Sequence, residues 1–199
     1  MQFSTNGSTS EAILSTTVVN APSARVLATG IAVVAAVTLP QAAHVLGAAL
    51  GLGPAVGQVL LPMFLPVMAV GLLAGPMSGF AAGAMAPLVS SLLTGMPAGP
   101  MPLFAMVPEV ATLGFVCGIL ATRKLPWIAK VLVSEGVGLL VYAVATVIFA
   151  AVTGNASADM LATILTVAKT GFPGYVIQWT FLPLMMRVIV REESQRDRR

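Results

Sequence analysis

Apolar residues in this chain neither alternate with polar ones nor mark a single helical face; they come in long runs broken by glycine, proline or a few charges. A helix needs about 20 apolar residues to cross a bilayer, and the runs fall near that length. The first runs from about residue 23 to 39 and is expected to stop or kink at Pro40. A glycine-rich stretch, 41–57, reads as a loop holding His44. The second run covers 59–75 and ends at the Gly75-Pro76 turn. The third covers roughly 78–93, the proline-rich segment 94–102 reads as a rigid loop, and the fourth covers 103–121. The fifth extends from about 127 to 152, and 154–159 reads as a turn. The last, about 160–190, contains Gly171, Pro173 and Gly174, which predicts a separate outer segment over 160–170.

Composition turns these runs into a fold class. Charged residues are 9% of the chain, hydrophobic residues 57%, and mean hydropathy is +0.95; soluble domains carry about 25% charged residues. So little charge cannot cover a water-facing surface. The pattern predicts an all-α membrane protein, a bundle of about six transmembrane helices. A polar tail (1–22) precedes the helical domain (23–190), and a charged tail (191–199) follows it. The first residues lack the basic start of a cleaved signal peptide, so the first span is expected to direct insertion.

Positive charge sets the expected orientation. Arg25 opens the first span, Arg123, Lys124 and Lys130 surround the turn between the fourth and fifth, and Arg187, Arg191, Arg196, Arg198 and Arg199 close the chain. With six spans these nine of ten basic residues share one side, which the positive-inside rule makes the cytoplasm, with both termini there. Lys169 alone lies elsewhere. The net charge of +3 forms no basic face interleaved with aromatics, so no nucleic-acid partner is expected.

Membrane helices associate through small residues that let backbones approach. Gly75, Gly79 and Gly83, and Gly114 and Gly118, fit internal packing. Ala24, Ala28, Ala32 and Ala36 form a stripe that suits internal packing and a partner's helix equally well.

Ionisable groups inside spans are costly and call for a reason. Glu109 and Lys169 fall toward the outer side and could line one cavity, Lys169 receiving an anionic group and Glu109 accepting hydrogen bonds; a structural ion pair or a snorkelling Lys169 is the alternative. Glu135, near Lys130, reads as a partner for an inner polar group. Gln178 and Trp179 lie mid-span in the last helix and serve either a ligand or a neighbouring helix. Phe64 and Met63, between Pro62 and Pro66, lie where an outer gate would meet the second span. Ser90, Ser91 and Thr94 are expected to bond back to their own helix. Lone Cys117 reads as a small packing residue. No P-loop, HExxH, CxxC or GxSxG pattern occurs. No catalytic residue, metal site or cofactor is expected, and no ladder of acids or histidines is available to carry protons. These absences describe a binder energised by something else.

Two stretches, LPMFLPVMAVGLLAGPMSGFAAGAMAPLVSSLLTGMP (61–97) and GFPGYVIQWTFLP (171–183), together with ATGIA (28–32), resemble the substrate-binding S components of energy-coupling factor (ECF) transporters. The resemblance extends from about Ala24 to Ile189. It implies a six-helix protein of a prokaryotic cytoplasmic membrane that captures a vitamin or cofactor precursor from outside. The family's Ala-x-x-x-Ala motif docks a membrane-embedded coupling subunit driven by two ATPase subunits, which implies a docking role for Ala28 and Ala32, and more weakly for Ala24 and Ala36. It further implies an outward pocket covered by the connection over 40–58. The sequence departs from its relatives at Phe64, where an LPMHIPV-like segment has histidine, so no particular substrate is carried over. A self-sufficient secondary carrier is the alternative; an intramembrane enzyme or scaffold has too few acid–base groups to rank with either.

Overall fold

The computed structural model describes residues 19, 21–53, 56–154 and 160–196. The expected turn over 155–159, most of the amino-terminal tail and the last three residues lie outside the described residues. The helices are α1 (Pro22–Ala49), α2 (Val56–Leu60), α3 (Phe64–Ala74), α4 (Pro76–Thr94), α5 (Pro100–Ala121), α6 (Trp127–Thr153) and α7 (Met160–Arg196). No strand occurs among the described residues. Apart from the five-residue α2, this is a bundle of six helices. α1, α4, α5 and α6 are each long and apolar enough to cross a bilayer. The chain is therefore a multi-pass membrane protein. Its surface agrees: Leu27, Ile31 and Val34 on α1, Leu140 and Val144 on α6, and Phe181 and Leu184 on α7 are all exposed. Polar Ser90, Thr146 and Gln178 are inside. Such an arrangement suits a hydrocarbon solvent, where backbone groups must be satisfied within each helix.

Three sequence expectations are corrected. α1 does not stop at Leu39; it carries Pro40 inside and runs on for another nine residues, so His44 lies on a helix rather than in a loop. α7 is likewise continuous through Pro173 and Pro183, with no separate segment over 160–170, and it carries on into the charged tail as far as Arg196. Both follow from the apolar solvent: a break would strand backbone groups where no water can take them, so prolines that would end a soluble helix are tolerated. The second span, by contrast, is split. Pro62 lacks an N–H and disfavours helical geometry at the residue before it. Leu61 there takes φ 47°, α2 ends at Leu60, and α3 begins only at Phe64.

α5 is the hub, packed against α3, α4 and α6. Its seam with α4 is built on glycine. A Cβ at Gly114 would lie 2.3 Å from the Gly79 carbonyl oxygen, and one at Gly83 would lie 2.2 Å from that of Val110. α7 packs on α6 and α2, while α1 packs on α3, α4 and α2. Arg25, Arg123 and Arg187 are exposed at the start of α1, after α5 and near the end of α7. Because successive long helices run antiparallel, these three share one end of the bundle.

Candidate functional site

The opposite end holds a cavity of about 440 Å³. Pro40, Gln41 and His44 from the distal part of α1 form one wall, and Leu61 to Phe64, ahead of and opening α3, form another. Ser90 of α4 and the following Met96 and Pro97 add a third. α5 contributes Met101, Met106 and Glu109, and α6 contributes Tyr142. α7 contributes Thr163, Thr166, Thr170 and Tyr175.

Glu109 is the chemical centre of this space. It is 4% exposed and lies inside α5, one residue after Pro108. No described residue forms a hydrogen bond or ion pair with its carboxyl group, although Tyr142 and Tyr175 are electrostatic neighbours and line the same cavity. Buried acids ordinarily have partners; an acid without one, facing a cavity within a membrane bundle, is a binding-site candidate. The cavity also receives Phe64, which is 3% exposed. Four methionines, Met63, Met96, Met101 and Met106, give it soft, adaptable walls.

The short helix α2 lies at this end, and its Gly57 lines the cavity. α2 is wedged between α1 and α7. A Cβ at Gly57 would come within 2.6 Å of the His44 ring, and a Cβ at Gly174 would lie 2.6 Å from the Leu60 carbonyl group. Glycine at both positions lets α2 lie against its neighbours, and α2 leads directly into Leu61 and the cavity wall.

Other residues singled out from sequence are elsewhere. Lys169 is exposed on α7 and does not line the cavity, so it is not brought to Glu109. Gln178 is fully buried behind the wall; its Nε2 donates to the Leu61 carbonyl oxygen at 3.4 Å, and its Oε1 has no partner. Trp179 turns toward α6, where its indole N–H donates to Oε2 of Glu135, and its ring meets Phe172 edge-on at 6.0 Å. Glu135 thus has one polar partner, while its Oε1 is unpartnered. Beside it, Lys130 is fully buried: its ammonium donates to the Ala121 carbonyl oxygen at 2.8 Å and lies 4.2 Å from the Trp127 ring centroid. A cation at the carboxy-terminal end of α5 is well placed, because that end carries the negative pole of the helix dipole.

The alanine stripe turns inward. Ala36 is 0% exposed and Ala32 is 6% exposed, both within the core that α1 shares with the other helices; Ala24 and Ala28 are half-buried. Neither Ala32 nor Ala36 offers surface to a partner in this arrangement, since their small side chains are consumed by packing within the chain.

Sequence reasoning missed Gln41, His44, Tyr142, Tyr175 and the threonines of α7. Thr163, Thr166 and Thr170 recur at helical spacing on one face of an apolar helix, a signal that was available. Gln41 and His44 share the same spacing but were hidden by the assumption that Pro40 ends α1. Among the described residues no group of three or more His, Cys, Asp or Glu side chains is placed to hold a metal. No family model, curated protein or solved structure matches the chain.

Proposed function

We propose that this protein is the substrate-capture subunit of an ATP-driven uptake system, binding a vitamin-sized molecule in the cavity and handing it to a partner energy-coupling module. The observation that carries this reading is the unpartnered, buried Glu109 in a space of about 440 Å³, within the ~300–1,000 Å³ range of small-molecule sites. The cavity lies at the end of the bundle away from Arg25, Arg123 and Arg187. By the positive-inside rule that end faces outside and both termini face the cytoplasm of a prokaryotic cell. The stretches resembling ECF S components supply the coupling module, a membrane subunit with two ATPases. Docking through the alanine stripe is assigned to Ala24 and Ala28, which retain surface.

The test is reconstitution. Gently purified protein should release a small molecule on denaturation, identified by mass spectrometry. That molecule should enter liposomes only when the chain is combined with an ATP-hydrolysing coupling module. Uptake driven by an ion gradient in liposomes holding this chain alone would overturn the capture reading in favour of a secondary carrier.

A further inference from the structure

The cavity is lined by one acid and one imidazole, Glu109 and His44. Among the described residues lining it, Glu109 is the sole carboxyl group, and there is no lysine or arginine. The two lysines nearest in sequence to its walls are turned elsewhere: Lys169 is exposed on α7, and Lys130 is bonded to the Ala121 carbonyl oxygen beyond the far end of α5's lining residues. With Glu109 ionised, an anionic ligand would meet it with neither lysine nor arginine to offset the charge. Like-charge contact of this kind is the repulsive element by which binding sites reject the wrong ligand.

The remaining lining favours the opposite charge. Phe64, Tyr142 and Tyr175 bring three aromatic rings to the lining, and the face of such a ring attracts cations electrostatically. The surrounding thioethers are polarisable and suit a flat apolar body. Among the described residues none donates a hydrogen bond to Glu109, which leaves its oxygens to an N–H of the ligand. A charged donor on a carboxylate makes a shorter, stronger bond than a neutral one.

We infer that the ligand carries a positively charged nitrogen bearing at least one N–H, held by Glu109, on an aromatic or otherwise apolar body enclosed by the tyrosine, phenylalanine and methionine side chains. This deepens the capture reading and rests on it, yet it is tested on the isolated full chain, without transport. Its failure is therefore separable from a failure of the uptake assay.

The experiment uses three fragments of one shape and different charge: benzylamine, benzyl alcohol and benzoate, at neutral pH and millimolar concentration. Protein labelled with ¹³C at its methionine methyls reports where they bind, through Met63, Met96, Met101 and Met106. Benzylamine should shift these four methyls and bind at least tenfold more tightly than benzyl alcohol, and benzoate should not shift them. In Glu109→Gln, benzylamine should lose at least tenfold in affinity, while benzyl alcohol changes little. Equal or tighter binding of benzoate or benzyl alcohol by the unaltered protein would overturn the inference. So would benzylamine that leaves the four methyls unmoved, or that binds Glu109→Gln undiminished. The fragment comparison in the unaltered protein stands even if the variant fails to fold.

Discussion

The two ends of this bundle solve the same problem in opposite ways. At the end marked by the basic residues, buried polar groups reach partners, Oε1 of Glu135 excepted, and backbones are pressed together. Lys130 meets the last carbonyl of α5, Trp179 meets Glu135, and a Cβ at Gly118 would sit 2.3 Å from Cα of Pro76. At the other end, the helices separate around about 440 Å³ of space, walled by methionine, proline and threonine, with an acid that no described residue pairs with. Local departures from full packing and full polar satisfaction concentrate where function needs them. The closed end holds the helices at fixed spacing, so the open end can stay open.

If that division holds, the largest effect of any small change belongs to the glycine seam. Gly114→Ala would place a Cβ 2.3 Å from the Gly79 carbonyl oxygen and 2.7 Å from Val67. Backbone cannot move aside as a side chain can, so the cost should reach about 3 kcal/mol, the upper part of the usual overpacking range. Thermal unfolding in detergent should show a clear loss of stability and of monodisperse protein. Gly136→Ala, with nothing within 4 Å, should be neutral or stabilising by up to ~1 kcal/mol, because alanine is the better helix former. Equal behaviour of the two variants would break the picture of a rigid closed end.

The next effect separates stability from binding. Lys130→Met keeps the apolar stem but removes the ammonium from the Ala121 carbonyl and the Trp127 ring. Leaving a buried acceptor unmatched costs about 1–3 kcal/mol, so unfolding should move by that amount while ligand affinity in the cavity stays unchanged. A parallel loss of affinity would show that the two ends are coupled. Smaller still, Gly174→Ala should lift α2 from α7. The stability cost should be about 1 kcal/mol, but hydrogen exchange over residues 56–60 should quicken, and a bound ligand should dissociate faster. Unchanged exchange there would show that α2 does not act as a lid.

These two ends were not equally legible in the sequence. The closed end was written in spacing: Gly75, Gly79 and Gly83, with Gly114 and Gly118, announced close backbone packing, and the run lengths with the placement of arginine announced the helices and their common end. The open end depended on whether prolines break helices, and here soluble-protein intuition failed. Pro40 and Pro173 are carried within α1 and α7, because a broken helix has no water to turn to, and this continuity brings Gln41, His44 and the α7 threonines to the cavity. Glu109 was legible because an acid inside an apolar run has few other uses. Gln178 and Trp179 were conspicuous for the same reason, yet they point into helix contacts; spacing along one helix cannot say which neighbour a side chain meets. The alanine stripe was readable as a packing surface, and only the three-dimensional arrangement turns Ala32 and Ala36 inward.

Lys169 gives the smallest expected effect and the sharpest check on where the open end stops. Its position in sequence, just before Gly171, suggested a cation beside Glu109. Its exposure on α7 instead leaves it to lipid headgroups or water, where its stem can lie along the apolar surface while the ammonium reaches outward. Exposed substitutions away from special features usually change stability by no more than about 0.5 kcal/mol. Lys169→Ala should therefore leave ligand affinity within about twofold, which is what an energy of that size allows. A tenfold loss would mean that α7 turns its lysine inward when ligand is present. The cavity would then hold a cation beside Glu109, and an anionic partner would become acceptable there.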